Sequence, residues 1–217
     1  MTQIILVRHG QSVHHVAGLT GGWTDTPLTE LGRRQAACVA ERLARDLPGI
    51  ECRVLSSDLQ RAAQTAAPIA AALGATLEFD PGLREINNGT AAGLTHEASA
   101  ALRLPRTAPV VDWRRYPGAE TWREFFERTA ACLERITSTT DRLLILVTHG
   151  GTIRSIIGWW LKLSPEQPAI IAFSSTTASL SILLTDHLGR HVLERLNDTS
   201  HLGTNGLGHN LVGPFSP

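Results

Sequence analysis

The sequence is short of cysteine and has no surplus charge of either sign, and each shortage excludes something. Its three cysteines (Cys38, Cys52, Cys132) are an odd number, widely spaced, with no C-x-x-C pair. A disulfide framework and a structural zinc site are therefore not expected; reduced thiols in a cytoplasmic protein are. Twenty basic and twenty acidic side chains cancel, which argues against nucleic acid as the main partner. No apolar run reads as a membrane span. Residues 167–185 lack charge, but Pro168 and several Ser and Thr mark them as a buried or half-buried segment. The opening MTQIILVRHG reads as a strand rather than a signal peptide. Internal repeats, low-complexity tracts and linkers are absent too. Residues 1–217 are thus expected to form one domain, with a Gly- and Pro-containing tail over 198–217.

What is present suffices for a core, with 42% hydrophobic and 18% charged residues. Residues 4–7 (IILV) form a short apolar run, the pattern of a strand covered on both faces. After a Gly- and Thr-rich loop, Thr29 is placed to cap a helix to about Asp46, with Val39 and Leu43 facing inward. A second strand at 53–56 leads into an Ala-rich helix from about Asp58, interrupted or kinked at Pro68 and ended by Gly74. Residues 76–79 are a third strand. Residues 81–117 read as irregular, apart from a short helix near 95–102. Trp122, Phe125, Phe126, Thr129, Leu133 and Ile136 recur at helical spacing and read as core packing. A fourth buried strand at 143–147 precedes a helix over 151–163, and strands near 179–184 and 191–196 are expected to pair as a hairpin. Trp159, Trp160 and the late apolar strands would suit either a homodimer interface or the core.

This alternation predicts an α/β fold: a three-layer sandwich with a central, mostly parallel sheet and helices on both faces. Ligands then bind beyond the carboxyl ends of the strands. Two strands end alike there. IILV runs into Arg8-His9-Gly10, and LILV into Thr148-His149-Gly150-Gly151. Each delivers a histidine to the sheet edge, and Gly150 and Gly151 open a helix whose free N–H groups favour an anion. Arg61 falls in the first turn of the second helix, where a cation opposes the helix dipole and an anionic ligand would explain it. Two arginines, two histidines and a helix N-terminus suit a phosphate dianion. His9, His14, His15 and His149 could supply nitrogens to a metal, but Arg8 and Arg61 beside a divalent cation would repel it, so no metal is expected.

Five ordered motifs resemble the histidine phosphatase superfamily, in its phosphoglycerate mutase-like branch. They are Arg8-His9-Gly10-Gln11-Ser12 with Gly22-Trp23-Thr24-Asp25-Thr26-Pro27-Leu28-Thr29; Ser56-Ser57-Asp58-Leu59-Gln60-Arg61-Ala62; Leu83-Arg84-Glu85-Ile86; Pro117-Gly118-Ala119-Glu120-Thr121; and Val147-Thr148-His149-Gly150-Gly151. The resemblance implies His9 as the nucleophile that becomes phosphohistidine. It implies Arg8, Arg61 and His149 as holders of the phosphoryl oxygens, and Glu85 as proton donor to the leaving oxygen. Substrate contacts are expected from Arg8, His15, Thr20, Gly21, Arg61, His149, Gly150 and His201. Glu85 gives a proton first and takes one from water second, which implies an acidic to neutral pH optimum. No cofactor is needed.

The chain also departs from the family pattern. His14-His15 stands where Trp-Asn is frequent, with His15 a candidate donor in place of the asparagine. Leu19 replaces a common arginine, and Ala91-Ala92-Gly93 replaces Trp-Glu-Gly. The segment between Glu85 and Glu120 lacks the long insertion of the mutases, so hydrolysis is expected over mutase chemistry. The run 196–203 is similar to the tail of metal-independent phosphoserine phosphatases, although a histidine they carry is Asn88 here. The expected activity is hydrolysis of a small phosphorylated metabolite. A cofactor-dependent phosphoglycerate mutase is the alternative, and a non-catalytic binding protein on the same fold is a lesser one.

Overall fold

The structure is a computed structural model and describes residues 3–138 and 143–203. Its strands are β1 (Gln3–Arg8), β2 (Arg53–Ser56), β3 (Leu77–Phe79), β4 (Leu143–Thr148), β5 (Leu180–Thr185) and β6 (His191–Asp198). Its helices are α1 (Val13–Val16), α2 (Glu30–Asp46), α3 (Gln60–Leu73), α4 (His96–Ala101), α5 (Trp122–Thr137), α6 (Gly150–Trp160), α7 (Glu166–Ile170) and α8 (Ser200–Gly203). The six strands form one sheet in the order β3-β2-β4-β1-β5-β6. The β3–β2, β2–β4 and β4–β1 pairs are parallel, and the last two pairs antiparallel.

Strand alternation divides the core into two layers. Ile5, Val7, Val54, Ile145 and Val147 face α2 and α3, where Val39, Leu43, Ala66 and Ile69 meet them. Ile4, Leu6, Leu55, Leu144 and Leu146 face α5 and α6, where Leu133, Ile136, Ile153 and Ile157 pack. Burial on both faces is why β1 and β4 are apolar at every central position rather than alternating. Each large aliphatic side chain so buried contributes about 1.5–3 kcal/mol.

Thr29 and Gly74 cap where the sequence places them. Thr29 Oγ1 accepts from Gly32 N–H at 3.1 Å, and Thr121 with Glu124 makes a capping box at the start of α5. Gly74 ends α3 in the left-handed conformation (φ 62°). Helix α3 continues through Pro68, so of the expected interruption or kink the interruption does not occur. Trp160 is buried in the core, and Trp159 packs against the same layer. The uncharged stretch 167–185 is not uniformly covered either: Ile170 is 74% exposed, whereas residues 177–181 are buried. Of the tail, α8 holds residues 200–203, and residues 204–217 lie outside the described ones. Among the described residues, no helix is long and apolar enough to cross a membrane.

Candidate active site

Parallel pairing sets Arg8 opposite Thr148, so the residues after each, His9 and His149, leave the sheet side by side. Their rings meet edge-on with centroids 5.0 Å apart. Strand β2 ends next to β4 and brings Ser57 to the same edge, where its hydroxyl lies 2.9 Å from His149 Nε2. The loop after β1 presses closely on the first turn of α2: a Cβ on Gly32 would fall 2.0 Å from the Gln11 carbonyl oxygen. Only glycine there lets the His9 loop close over the helix.

The His9 tautomer follows from its neighbours. Nδ1 lies 2.7 Å from its own loop's Gly10 carbonyl, an acceptor only, so Nδ1 carries the proton. Nε2 keeps its lone pair and accepts from Arg61 Nε–H at 3.2 Å. Arg61 is 1% exposed, an unusual burial for a guanidinium. Its two terminal nitrogens donate to the Gly22 and Thr24 carbonyls, each at 2.7 Å, so the loop before α2 holds the cation in place. Arg8 donates to the Ser175 carbonyl.

Electrostatically the site is built for an anion. Burial first, then His149, Arg61 and Arg8, push the His9 imidazole well below its ordinary value. Burial and the same two arginines do likewise to His149. Burial pulls Arg61 down to about 10. Among the described residues, Arg8 Nε and His149 Nδ1 are buried without hydrogen-bond partners. Such desolvated polar groups are compensated when an anion's oxygens sit against them. A metal ion would instead compete with Arg61 for the His9 lone pair.

Glu85 approaches from the loop after β3, behind a 3₁₀ turn at Pro81–Leu83. Its carboxylate accepts from Ile86 N–H and from Gly151 N–H at the start of α6, both at 2.8 Å. Its carbonyl accepts from Trp23 Nε1 at 2.8 Å and from Arg128 Nη2 at 3.1 Å. Arg128 also holds Gly82 and Arg84 carbonyls and makes a two-pronged pair with Glu120 at 2.7 and 2.9 Å. Glu120 in turn accepts from Asn87 N–H. Beside His9, the ring of the exposed His15 is stacked with centroids 5.5 Å apart, and its Nδ1 accepts from Ser12 N–H at 3.1 Å, leaving Nε2 as a donor.

A family model described as the histidine phosphatase superfamily (branch 1) matches residues 4–199. The chain belongs to that superfamily. It is 35% identical to a glucosyl-3-phosphoglycerate phosphatase of Mycolicibacterium vanbaalenii, over 71% of this chain and 72% of that one. It is 32% identical to a probable phosphoglycerate mutase GpmB of Yersinia pestis, over 93% and 95%. A solved mycobacterial glucosyl-3-phosphoglycerate phosphatase in complex with VO3 superposes with a TM-score of 0.76 at 27% identity, covering 92% of this chain and 100% of that one. This histidine phosphatase is therefore a small-molecule phosphatase of the phosphoglycerate mutase-like kind.

Of the residues expected at the site, the structure brings Arg8, His9, His15, Arg61 and His149 into one cluster, with Glu85 and Gly150 at its rim. Gly150 is the first residue of α6, and a Cβ there would lie 3.5 Å from the Arg8 guanidinium carbon. Gly21 is 3.2 Å from His14 Nε2 by the same measure, and Thr20 Oγ1 is buried without a partner. His201 is not in the cluster. Its Nε2 engages the Ala178 carbonyl at 2.9 Å, and its charged neighbours are Asp198, Arg42 and Arg45, on the α2 side of the sheet. His14 is 7% exposed and bonded to Ser12 Oγ at 2.8 Å. One role differs from the sequence reading. Trp122 belongs to the core stripe but also lines a cavity beside Glu85. Ser57 and Arg128 were not foreseen as site residues.

Two consequences can be measured. A Cβ on Gly151 would lie 2.2 Å from Glu85 Oε1. Gly151→Ala is expected to displace the carboxylate and lower kcat about 10- to 100-fold, with the melting temperature changed far less. The second concerns pH. Burial, then His15, lowers His14 to about 3, and His9 and His149 are also held neutral. Below the ordinary histidine value of about 6.5 the unfolded chain takes up protons that the fold refuses. Stability therefore falls as pH falls from about 6.5 toward 3, by up to about 1.4 kcal/mol per pH unit for each such histidine. Urea midpoints should be lower at about pH 5 than at about pH 7, and His14→Asn should narrow the gap. Equal midpoints in the unmodified protein would contradict this.

Proposed function

We propose that this chain is a cytoplasmic phosphomonoesterase that hydrolyses a small phosphorylated metabolite through a phosphohistidine on His9, with no metal or other cofactor. The observation that carries the reading is the unprotonated His9 Nε2, buried among Arg8, Arg61 and His149. In the first step that lone pair attacks phosphorus while the ester P–O bond breaks. The departing alkoxide takes a proton from Glu85, which is left as carboxylate. In the second step Glu85 removes a proton from water, the hydroxide attacks phosphorus, the N–P bond breaks, and inorganic phosphate and neutral His9 are regenerated. Phosphoryl transfer asks little covalent chemistry of a protein beyond this, so the pre-positioned cations supply most of the acceleration.

Each donor has a place. Arg61 Nε–H turns from His9 Nε2 to a phosphoryl oxygen, and Arg8 Nε–H takes another. Ser57 Oγ accepts from Leu59 N–H at 3.3 Å and donates to His149 Nε2. That leaves the His149 proton on Nδ1, aimed at a third oxygen. His15 Nε2–H serves where relatives carry asparagine, and Thr20, Gly21 and Gly150 shape the mouth. The Gly10 carbonyl stabilises the positive charge that His9 acquires on phosphorylation. The free state of all three cysteines, two buried and one half-buried, fits a reducing compartment.

Mutase chemistry is the second reading, favoured by the similarity to a probable phosphoglycerate mutase. The short 86–119 segment favours hydrolysis, because water reaches an uncovered phosphohistidine. The test is release of inorganic phosphate from p-nitrophenyl phosphate in excess chelator, run beside 3-phosphoglycerate with and without a bisphosphoglycerate primer. Chelator-resistant phosphate release is expected. Primer-dependent isomerisation faster than phosphate release would favour the mutase, and loss of activity in chelator would remove the metal-free mechanism.

A further inference from the structure

Glu85 belongs to a stretch, residues 84–88, that is neither helix nor strand, so no ladder of backbone bonds fixes it. Its carboxylate is tied to the N–H groups of Ile86 and Gly151. Its backbone is tied through its carbonyl, which accepts from Trp23 Nε1 at 2.8 Å and from Arg128 Nη2 at 3.1 Å. Trp23, unlike Arg128, lies on the loop that holds Arg61.

That loop is built to keep its shape. Gly22 and Thr24, on either side of Trp23 in the chain, give their carbonyls to Arg61. Thr24 Oγ1 lies 2.6 and 2.8 Å from the Thr20 and Gly21 carbonyls and closes the turn. Asp25 accepts from the Gln60 N–H and from its side-chain amide, which pins the loop to the start of α3, where Arg61 stands. Toward the acid stretch, a Cβ on Gly22 (φ 68°) would fall 2.6 Å from the Ile86 carbonyl oxygen. The two segments therefore pack backbone to backbone. The Trp23 ring also meets both arginines beside the acid. The guanidinium carbons of Arg84 and Arg128 lie over it, 4.8 and 5.9 Å from its centre, within cation–π range. Arg84 is itself paired with Asp58, and Arg128 with Glu120. Trp23 is half-buried, and its one polar atom is spent on the carbonyl of the acid.

We infer that Trp23 is a positioning residue for the acid: through its indole N–H it spaces Glu85 from Arg61, so that the proton donor stands at the ester oxygen when the phosphoryl group lies against the arginines. The inference rests on the phosphomonoesterase reading above and adds to it how the two halves of the site are held in register.

The test uses leaving groups. p-Nitrophenolate departs without a proton, whereas phenolate, whose conjugate acid has a pKa of about 10 as in tyrosine, needs Glu85 to protonate it. The quantity to compare is kcat/KM, because it stops at the first irreversible step, the departure of that group. Trp23→Phe keeps an aromatic ring beneath the arginines and deletes the N–H. It should raise the ratio of kcat/KM for p-nitrophenyl phosphate over phenyl phosphate about 10- to 100-fold, the scale of loss when a catalytic group is misplaced by about 1 Å. This ratio is independent of the folded fraction, so a variant that folds poorly still answers. In Glu85→Gln the ratio should already be high, and adding Trp23→Phe should change it less than about threefold, since two residues acting through one group are not additive. A ratio unmoved by Trp23→Phe, or an equal rise in the Glu85→Gln background, would overturn the positioning role while leaving the phosphatase reading intact. Failure to hydrolyse p-nitrophenyl phosphate at all would overturn that reading, and this role with it.

Discussion

Replacing His9 with alanine is expected to lower phosphate release by at least about 10⁴-fold, the scale of loss when a covalent hydrolase is deprived of its nucleophile. The residual arginines would still bind phosphate, so KM or the inhibition constant of inorganic phosphate should change little. His9→Asn is expected to fail as badly, since the amide nitrogen's lone pair is delocalised into its carbonyl and is too poor a nucleophile to replace an imidazole. Stability should respond differently. His9 is 3% exposed and held neutral by burial and by its cationic neighbours, and removing it relieves that desolvation at the cost of a small cavity. A variant that folds, binds phosphate and is inert is the predicted result. A variant retaining a tenth of the activity would remove His9 from the chemistry.

The second large effect belongs to Arg61. Arg61→Met should cost about 10³-fold or more in kcat, as removal of a transition-state arginine does elsewhere. Arg61→Lys should recover little of it. The guanidinium makes three directed bonds, to His9 Nε2 and to the Gly22 and Thr24 carbonyls, and an ammonium reproduces neither their directions nor the planar fork a phosphoryl group meets. The Met variant also leaves two carbonyls without a donor, at about 1–3 kcal/mol each if they stay buried. Removal of a desolvated charge offsets part of that, so the melting temperature should fall modestly while activity collapses. Recovery of near full activity by Arg61→Lys would contradict the account.

The features that were legible in the sequence are those with local signatures. Apolar runs ending in His9 and His149 announced two buried parallel strands, because only burial on both faces produces such runs. Their glycines announced close backbone approach, which Gly151 fulfils against Glu85. Thr29 announced the start of α2. What stayed hidden depends on side chains meeting across the fold. Arg128 looks like an ordinary helical surface residue, yet its guanidinium ties Gly82, Arg84, Glu85 and Glu120 into one loop. Ser57 reveals itself only when β2 lies beside β4. Trp122 read as core because its helical stripe is core; that its other edge faces a cavity is a matter of what packs opposite. Pro68 does not interrupt α3, which continues through it.

The central claim is a covalent phosphoryl group on His9, and the most direct measurement is to catch it. Rapid mixing of the enzyme with p-nitrophenyl phosphate, quenched in alkali where phosphohistidine survives, should give a phosphorylated protein whose label maps to the peptide containing His9. The label should chase to inorganic phosphate at the rate of turnover, and Glu85→Gln, which lacks the base for the second step, should accumulate more of it. Turnover in the unmodified enzyme with no label on that peptide, or a label on any other residue, would contradict the account.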